Sequence, residues 1–290
     1  MSSQHTTPSD DNAPGFRAIR FNMDWITRPL FGIVLGLLAL SVVIYGPKTV
    51  AIFVAVGFVL AALEWHRCVG GGVADRAGVV LTAASVAIAE ASFLYTGYFW
   101  AGLLVVAFGA AGSFVLALQR DDKHPLWQAA GALYLGVPAL CLVALSSVSH
   151  GLILIGLFLI VWATDTGALI FGNLIGGKRL APKLSPAKTW AGTIGGSVLA
   201  ALVFTFYLST LLGGSTLTAL AFGFVFSFTA HAGDLFESFV KRRFGVKNSG
   251  AIIPGHGGVL DRIDSTLAAA PVMALLVFVA HFNPLFGVHA

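Results

Sequence analysis

Charge is what this chain has least of. Asp, Glu, Lys and Arg together make up 10% of its 290 residues, whereas 57% are hydrophobic and the mean hydropathy is +0.87. Soluble domains carry about 25% charged residues, and a globule this poor in polar side chains could not cover its own surface. A water-soluble fold is therefore excluded, and so is disorder beyond the polar N-terminus. Cysteine is nearly absent as well. Cys68 and Cys141 are far apart and lack CxxC spacing, which leaves no disulfide framework and no zinc site. Both read as small apolar filler. No apolar stretch followed by a small-residue cleavage site marks a removable signal peptide in residues 1–28. No repeat of fixed period is visible, and the GxxxxGK[ST] phosphate loop is missing.

What remains is apolar runs of bilayer length, at ~20 residues per spanning helix. They fall at 29–46, 48–64, 77–95, 98–118, 126–148, 150–172, 192–213, 216–240 and 265–286. The expected fold is thus an all-α polytopic integral membrane protein with about nine transmembrane helices and a cytoplasmic N-terminus. Segments two and three are the least regular, because they carry Glu64 and Glu90. Loop charge tests this segmentation independently. With nine spans, 16 of the 17 Lys and Arg residues fall on one side and Lys48 alone on the other, the bias expected of cytoplasmic loops. The net charge of +4 is accounted for by topology beside anionic lipid headgroups, with no nucleic-acid partner. Glycines inside the spans (Gly102, Gly109, Gly112, Gly192, Gly195, Gly196) read as close-packing positions between helices. The chain divides into a tail (1–28), scaffold helices (29–148) and a region rich in unusual polar residues (149–290).

Three stretches of that last region break membrane rules. In WATDTGALIFGNLIGGKRLAPKLSPAKTW, Asp165 sits within or near the end of a span, where a charge costs at least ~2.5–3.5 kcal/mol. A carboxylate kept there lines a cavity, pairs with a cation, binds a metal, or snorkels to the interface. The loop that follows carries Lys178, Arg179, Lys183 and Lys188 with Ser185 and Thr189. It suits phosphates at the membrane surface, and equally a plain topology anchor. In HAGDLFESFVKRR, Asp234, Ser238 and Lys241 stand at i, i+4 and i+7 on one helix face, with Glu237 beside them. That order suits a metal ligand leading to a phosphate clamp, or a simple ion pair. In VKNSGAIIPGHGGVLDRIDS, Gly255, Gly257 and Gly258 let bare backbone approach a ligand, and such turns can aim N–H groups at phosphate. Asp261 and Asp264, three apart, repel unless a cation lies between them, and oxygen ligands beside phosphate suit Mg²⁺. His256 could donate to a phosphate or be purely structural. All three stretches lie on one side of the membrane in this topology, which argues for an enzyme handling a phosphorylated lipid and a nucleotide or another polyphosphate.

The run Ser238-Phe-Val-Lys-Arg, then Lys247, then Pro254-Gly-His-Gly-Gly-Val-Leu-Asp-Arg-Ile-Asp264 resembles the signature of the phosphatidate cytidylyltransferases, or CDP-diacylglycerol synthases. Asp165-Thr-Gly-Ala, Ser185-Pro-Ala-Lys-Thr and Gly233-Asp-Leu-Phe-Glu-Ser238 match other stretches of that family. The resemblance spans roughly residues 150–270. It implies a multi-helix enzyme of the bacterial inner membrane, typically a homodimer among membrane lipids. Such an enzyme converts CTP and phosphatidate to CDP-diacylglycerol and pyrophosphate at the cytoplasmic face. It also implies that Asp234, Asp261 and Asp264 organise Mg²⁺, with a monovalent cation as a second ion. Ser238 and Lys241 would continue the polar chain, and Asp165, Lys183, Ser185 and Lys188 would line the substrate cavity. Arg242 and Arg262 would meet phosphates, with the His256-Gly257-Gly258 turn on the pyrophosphate side. Two departures remove negative charge: the family pattern has Lys-Asp at Lys247-Asn248 and Glu-Gly at Ala191-Gly192. The competing readings are an ion-coupled secondary transporter, a divergent paralogue acting on another lipid phosphate, and an inactive scaffold.

Overall fold

A computed structural model describes residues 24–246, 248–250 and 257–279, with side chains from residue 32 onward. His256, Lys247, the tail up to residue 23 and the end of the ninth apolar run lie outside the described residues. Nine α-helices occur among the described residues, each over one of the apolar runs: α1 (Asp24–Ile44), α2 (Pro47–Val69), α3 (Arg76–Thr96), α4 (Phe99–Gln119), α5 (Pro125–Ser146), α6 (Leu152–Leu174), α7 (Trp190–Leu211), α8 (Thr216–Arg243) and α9 (Leu260–Ala274). Seven of them, α2 to α8, are long and apolar enough to cross a membrane, and the protein is an all-α polytopic membrane protein. The ninth helix begins at Leu260 rather than at 265, which places Asp261 and Asp264 on its first turns. Beyond Pro271, which lacks an N–H and cannot complete the i→i−4 ladder, the helix widens into a π-turn over Leu275–Val279. The helical path from 260 to 279 spans roughly 30 Å.

Helix ends follow local chemistry. Asp75 caps α3 by accepting the N–H groups of Ala77 (3.2 Å) and Gly78 (3.1 Å), and it also takes a 2.6 Å bond from Arg120. Thr189 caps α7 through the N–H of Gly192. The charged segment between α6 and α7 departs from the expected irregular loop. It forms an antiparallel hairpin, β1 (Arg179–Ala181) and β2 (Ser185–Thr189), with Arg179 opposite Thr189 and Ala181 opposite Ser185. Pro186 is tolerated because a two-stranded ribbon leaves one edge of each strand unpaired.

Helices α2 to α5 pack on one another, α7 packs between α6 and α8, and α9 touches both groups through α5, α2, α6 and α8. The outward faces of the spans are apolar: Phe108 is 74% exposed and Phe206 72%, as suits contact with lipid tails. Between helices in lipid, close van der Waals packing replaces the hydrophobic effect, and the glycines act as expected. A Cβ on Gly167 of α6 would lie 2.8 Å from Cα of Gly196 in α7, and one on Gly196 would lie 2.5 Å from the carbonyl oxygen of Thr164. The same seam is tied by hydroxyls: Thr164 donates to Ser227 of α8 (2.9 Å), which donates to Ser197 of α7 (3.0 Å). Gly196→Val should therefore force α6 and α7 apart. The expected loss is about 1–3 kcal/mol, read as a lowered thermal midpoint in detergent; an unchanged midpoint would show that the seam is loose.

Candidate active site

The site forms where the C-terminal halves of α6 and α8 and the first turns of α9 come together, with the hairpin carrying Lys188 to α8. Helix α8 supplies most of it because residues three or four apart share a face. Gly233, immediately before Asp234, lets α8 close on α9: a Cβ there would stand 2.5 Å from the carbonyl oxygen of Asp264. That approach gathers carboxylates from three helices. Asp165, Asp234 and Asp264 interact with one another electrostatically, and Glu237 interacts with both Asp261 and Asp264.

Lysines answer part of this charge. Lys241 Nζ lies 2.6 Å from Asp261 Oδ1 and 3.0 Å from Glu237 Oε2. The other oxygen of Asp261 accepts the N–H of Gly258 at 2.9 Å. Gly257, just before, adopts φ +83°, a left-handed conformation that favours glycine. Lys188, carried in by β2, forms an ion pair with Asp234. Arg262 interacts with Asp165. Asp165 itself keeps exposed surface. Asp264 is buried and accepts the N–H of Ser265 at 2.7 Å.

The sequence-derived set is thus largely brought together, with one change of partners. Lys241 does not continue a line down from Asp234. It bridges Glu237 and Asp261, and Lys188 from the hairpin is the cation at Asp234. Ser238 lies on the same helix, half-buried. Ser185 sits in β2, and Lys183 is exposed at the hairpin turn. Arg242 donates from Nε to the carbonyl of Leu184 (3.4 Å), tying the end of α8 to that turn. His256 lies outside the described residues.

Among the described residues no three acidic, His or Cys side chains are gathered closely enough to hold a metal ion. Asp234 and Asp261 each pair with a lysine in this arrangement. The donor chemistry nevertheless fits a hard cation: Glu237 Oε1 is buried without a hydrogen-bond partner beside Asp261 and Asp264, and Mg²⁺ prefers such oxygens.

Three residues were not assigned from sequence. Glu237 was visible beside Asp234. Tyr134 of α5 has a buried hydroxyl without a hydrogen-bond partner, near Asp234, Glu237 and Asp264, and only the fold brings it there. Glu64 of α2 is 2% exposed and reaches the start of α9. Its signal was the same as that of Asp165, a carboxylate inside an apolar run. Both cysteines are buried and free, and Cys68 also lines a cavity of about 300 Å³ with Arg67, Val246, Asn248, Ser249 and Gly250.

Fold and site together define a polytopic membrane protein with a mixed acidic and basic centre at one end of its helices. The chain belongs to the Cytidylyltransferase family, whose sequence profile matches residues 26–280. A phosphatidate cytidylyltransferase of Brucella suis is 39% identical over 175 residues, covering 60% of this chain and 65% of the relative. One from Rickettsia bellii is 38% identical over 186 residues, covering 60% of this chain and 78% of the relative. The matched region therefore spans slightly less than two thirds of the Brucella protein.

Proposed function

We propose that the chain transfers CMP from CTP to phosphatidate, giving CDP-diacylglycerol and pyrophosphate, at the cytoplasmic face of a bacterial inner membrane. The observation that carries this reading is the paired arrangement Glu237–Lys241–Asp261 and Lys188–Asp234, which sets cations and carboxylates against one another at the ends of apolar spans. In the reaction a phosphate oxygen of phosphatidate attacks the α-phosphorus of CTP, the bond to the bridging oxygen breaks, and pyrophosphate departs with the electron pair. A phosphate monoester is already largely ionised at neutral pH, with a second pKa of about 6, so no strong general base is needed. The obstacle is repulsion between two polyanions. Lys188 and Lys241 supply the positive charge that would neutralise phosphate oxygens of the two substrates. Asp234, Asp261 and Asp264 are the residues that would hold Mg²⁺, with Glu237 Oε1 within the same cluster. When bound, the ion would supply charge neutralisation on the polyphosphate. Lipid-facing spans admit the acyl tails sideways while CTP arrives from water. A homodimer and a second, monovalent ion belong to the same proposal.

Purified protein in detergent with labelled CTP, phosphatidate and Mg²⁺ should place the label in lipid, and excess EDTA should stop it. No lipid-linked label with any divalent metal or lipid phosphate would reject the enzyme and favour an ion-coupled transporter or an inactive relative.

A further inference from the structure

Glu64 lies on the second span, nearly two hundred residues before the signature it touches. Its Oε1 accepts the N–H of Val259 at 3.0 Å and its Oε2 the N–H of Leu260 at 2.7 Å, with Ser249 Oγ at 3.5 Å. These amides belong to the first turn of α9, where backbone donors have no partner within the helix. The residue at the cap, Val259, offers no side-chain bond of its own. A carboxylate there also complements the positive end of the helix dipole. The backbone around Glu64 is shaped to admit it. An added Cβ on Gly250 would fall on its carboxylate, and one on Gly258 would lie 2.4 Å from Ser249 Oγ and 2.5 Å from Glu64 Oε2. Neither glycine has a positive φ, so it is the space for Glu64 and the Ser249 hydroxyl beside it, not backbone strain, that excludes a larger residue.

The next links lead into the site. Gly258, against Glu64, donates its N–H to Asp261, and Asp261 receives Lys241. We propose that Glu64 is a positioning residue for the reaction: acting from α2, it holds the backbone of 258–260 so that Asp261 is presented to Lys241 and the substrates. This rests on the functional reading above. It explains why a span bears the cost of a buried carboxylate.

The test uses the full-length protein in detergent, with steady-state kinetics in CTP and amide hydrogen exchange on the wild type, E64Q, E64D, E64A, G258A and E64A/G258A. Glutamine keeps one acceptor but turns an NH₂ toward the second amide. E64Q should lose at least about tenfold in kcat with the KM for CTP nearly unchanged. Val259 and Leu260 should exchange faster while the amides of α3 do not. E64D, with the charge restored on a shorter arm, should recover part of the rate. G258A should mimic E64Q by displacing the carboxylate, and its cost should fall in the E64A background to what the Ser249 hydroxyl beside the same Cβ imposes, the non-additivity expected of two groups acting through one contact. Wild-type kcat in E64Q, additive losses in the double variant, or a rise in exchange spread evenly over all helices would each overturn the proposal. A wild type without turnover would instead reject the functional reading, and the local exchange at Val259 and Leu260 would still decide whether Glu64 holds the turn.

Discussion

On the proposed function, Asp261→Asn is expected to abolish Mg²⁺-dependent formation of CDP-diacylglycerol while leaving a folded membrane protein. Asparagine keeps the shape and one acceptor for the N–H of Gly258, but it removes the negative charge that Lys241 meets at 2.6 Å. If Asp261 also organises the cation beside the polyphosphate, several kcal/mol of charge stabilisation go with it. A loss of about 4 kcal/mol corresponds to about a thousandfold in rate. Turnover of labelled CTP by purified variant, beside its size-exclusion profile, checks both halves of the statement. Near-wild-type turnover would remove Asp261 from the chemistry.

Replacing Lys241 should have the largest effect on stability as well as on rate. Its ammonium group is largely buried between Glu237 and Asp261, whose side chains are 2% and 16% exposed. In Lys241→Met two carboxylates face each other with no cation between them. Breaking a buried pair by removing one partner costs about 3–5 kcal/mol, enough to lower the thermal midpoint by many degrees. The double variant K241M/E237Q removes one of the two stranded charges and the repulsion between them, leaving Asp261 with the N–H of Gly258, so it should regain part of the stability. It should not regain turnover, because the amine that meets phosphate is still missing. Recovery of both would make Lys241 a structural residue only; recovery of neither would mean that the packing of α8 against α9 depends on this pair in a way that charge alone does not explain.

Much of this architecture was legible in the chain, and for physical reasons. A bilayer demands long apolar helices, so nine runs became nine helices with boundaries moved by a few residues, the ninth starting five residues early because Asp261 and Asp264 are tolerated where α9 meets polar surroundings. Cytidylyltransferase motifs carried the site because they place Asp234, Asp261 and the Gly257-Gly258 turn in short sequence windows. What stayed hidden depends on long-range approach. The hairpin that brings Lys188 to Asp234 could not be read from a Pro-punctuated basic stretch, since strand pairing there is settled by the ends of α6 and α7. Tyr134 reaches the carboxylates only through the packing of α5 on α9. Glu64 and Glu90 stood out as irregularities in otherwise apolar spans. The rule that flagged Asp165, that an intramembrane carboxylate is costly and therefore retained for a reason, applied to both with equal force. Glu90 is buried with Oε1 lacking a partner, and nothing in the structure explains it.

The glycine seam between α6 and α7 has a consequence for inheritance. Asp165 stands two residues from Gly167, and Lys188 precedes Gly192 and Gly196 on the strand that runs into α7. The contact between these backbones sets how far apart two charged residues of the site can be. A side chain gained at Gly167 or Gly196 would be a change of a single methyl group, remote from any phosphate, yet it would reset the spacing of Asp165 and Lys188. A lineage that relaxes the reaction is therefore expected to show its first substitutions at Gly167 and Gly196, before it loses any carboxylate.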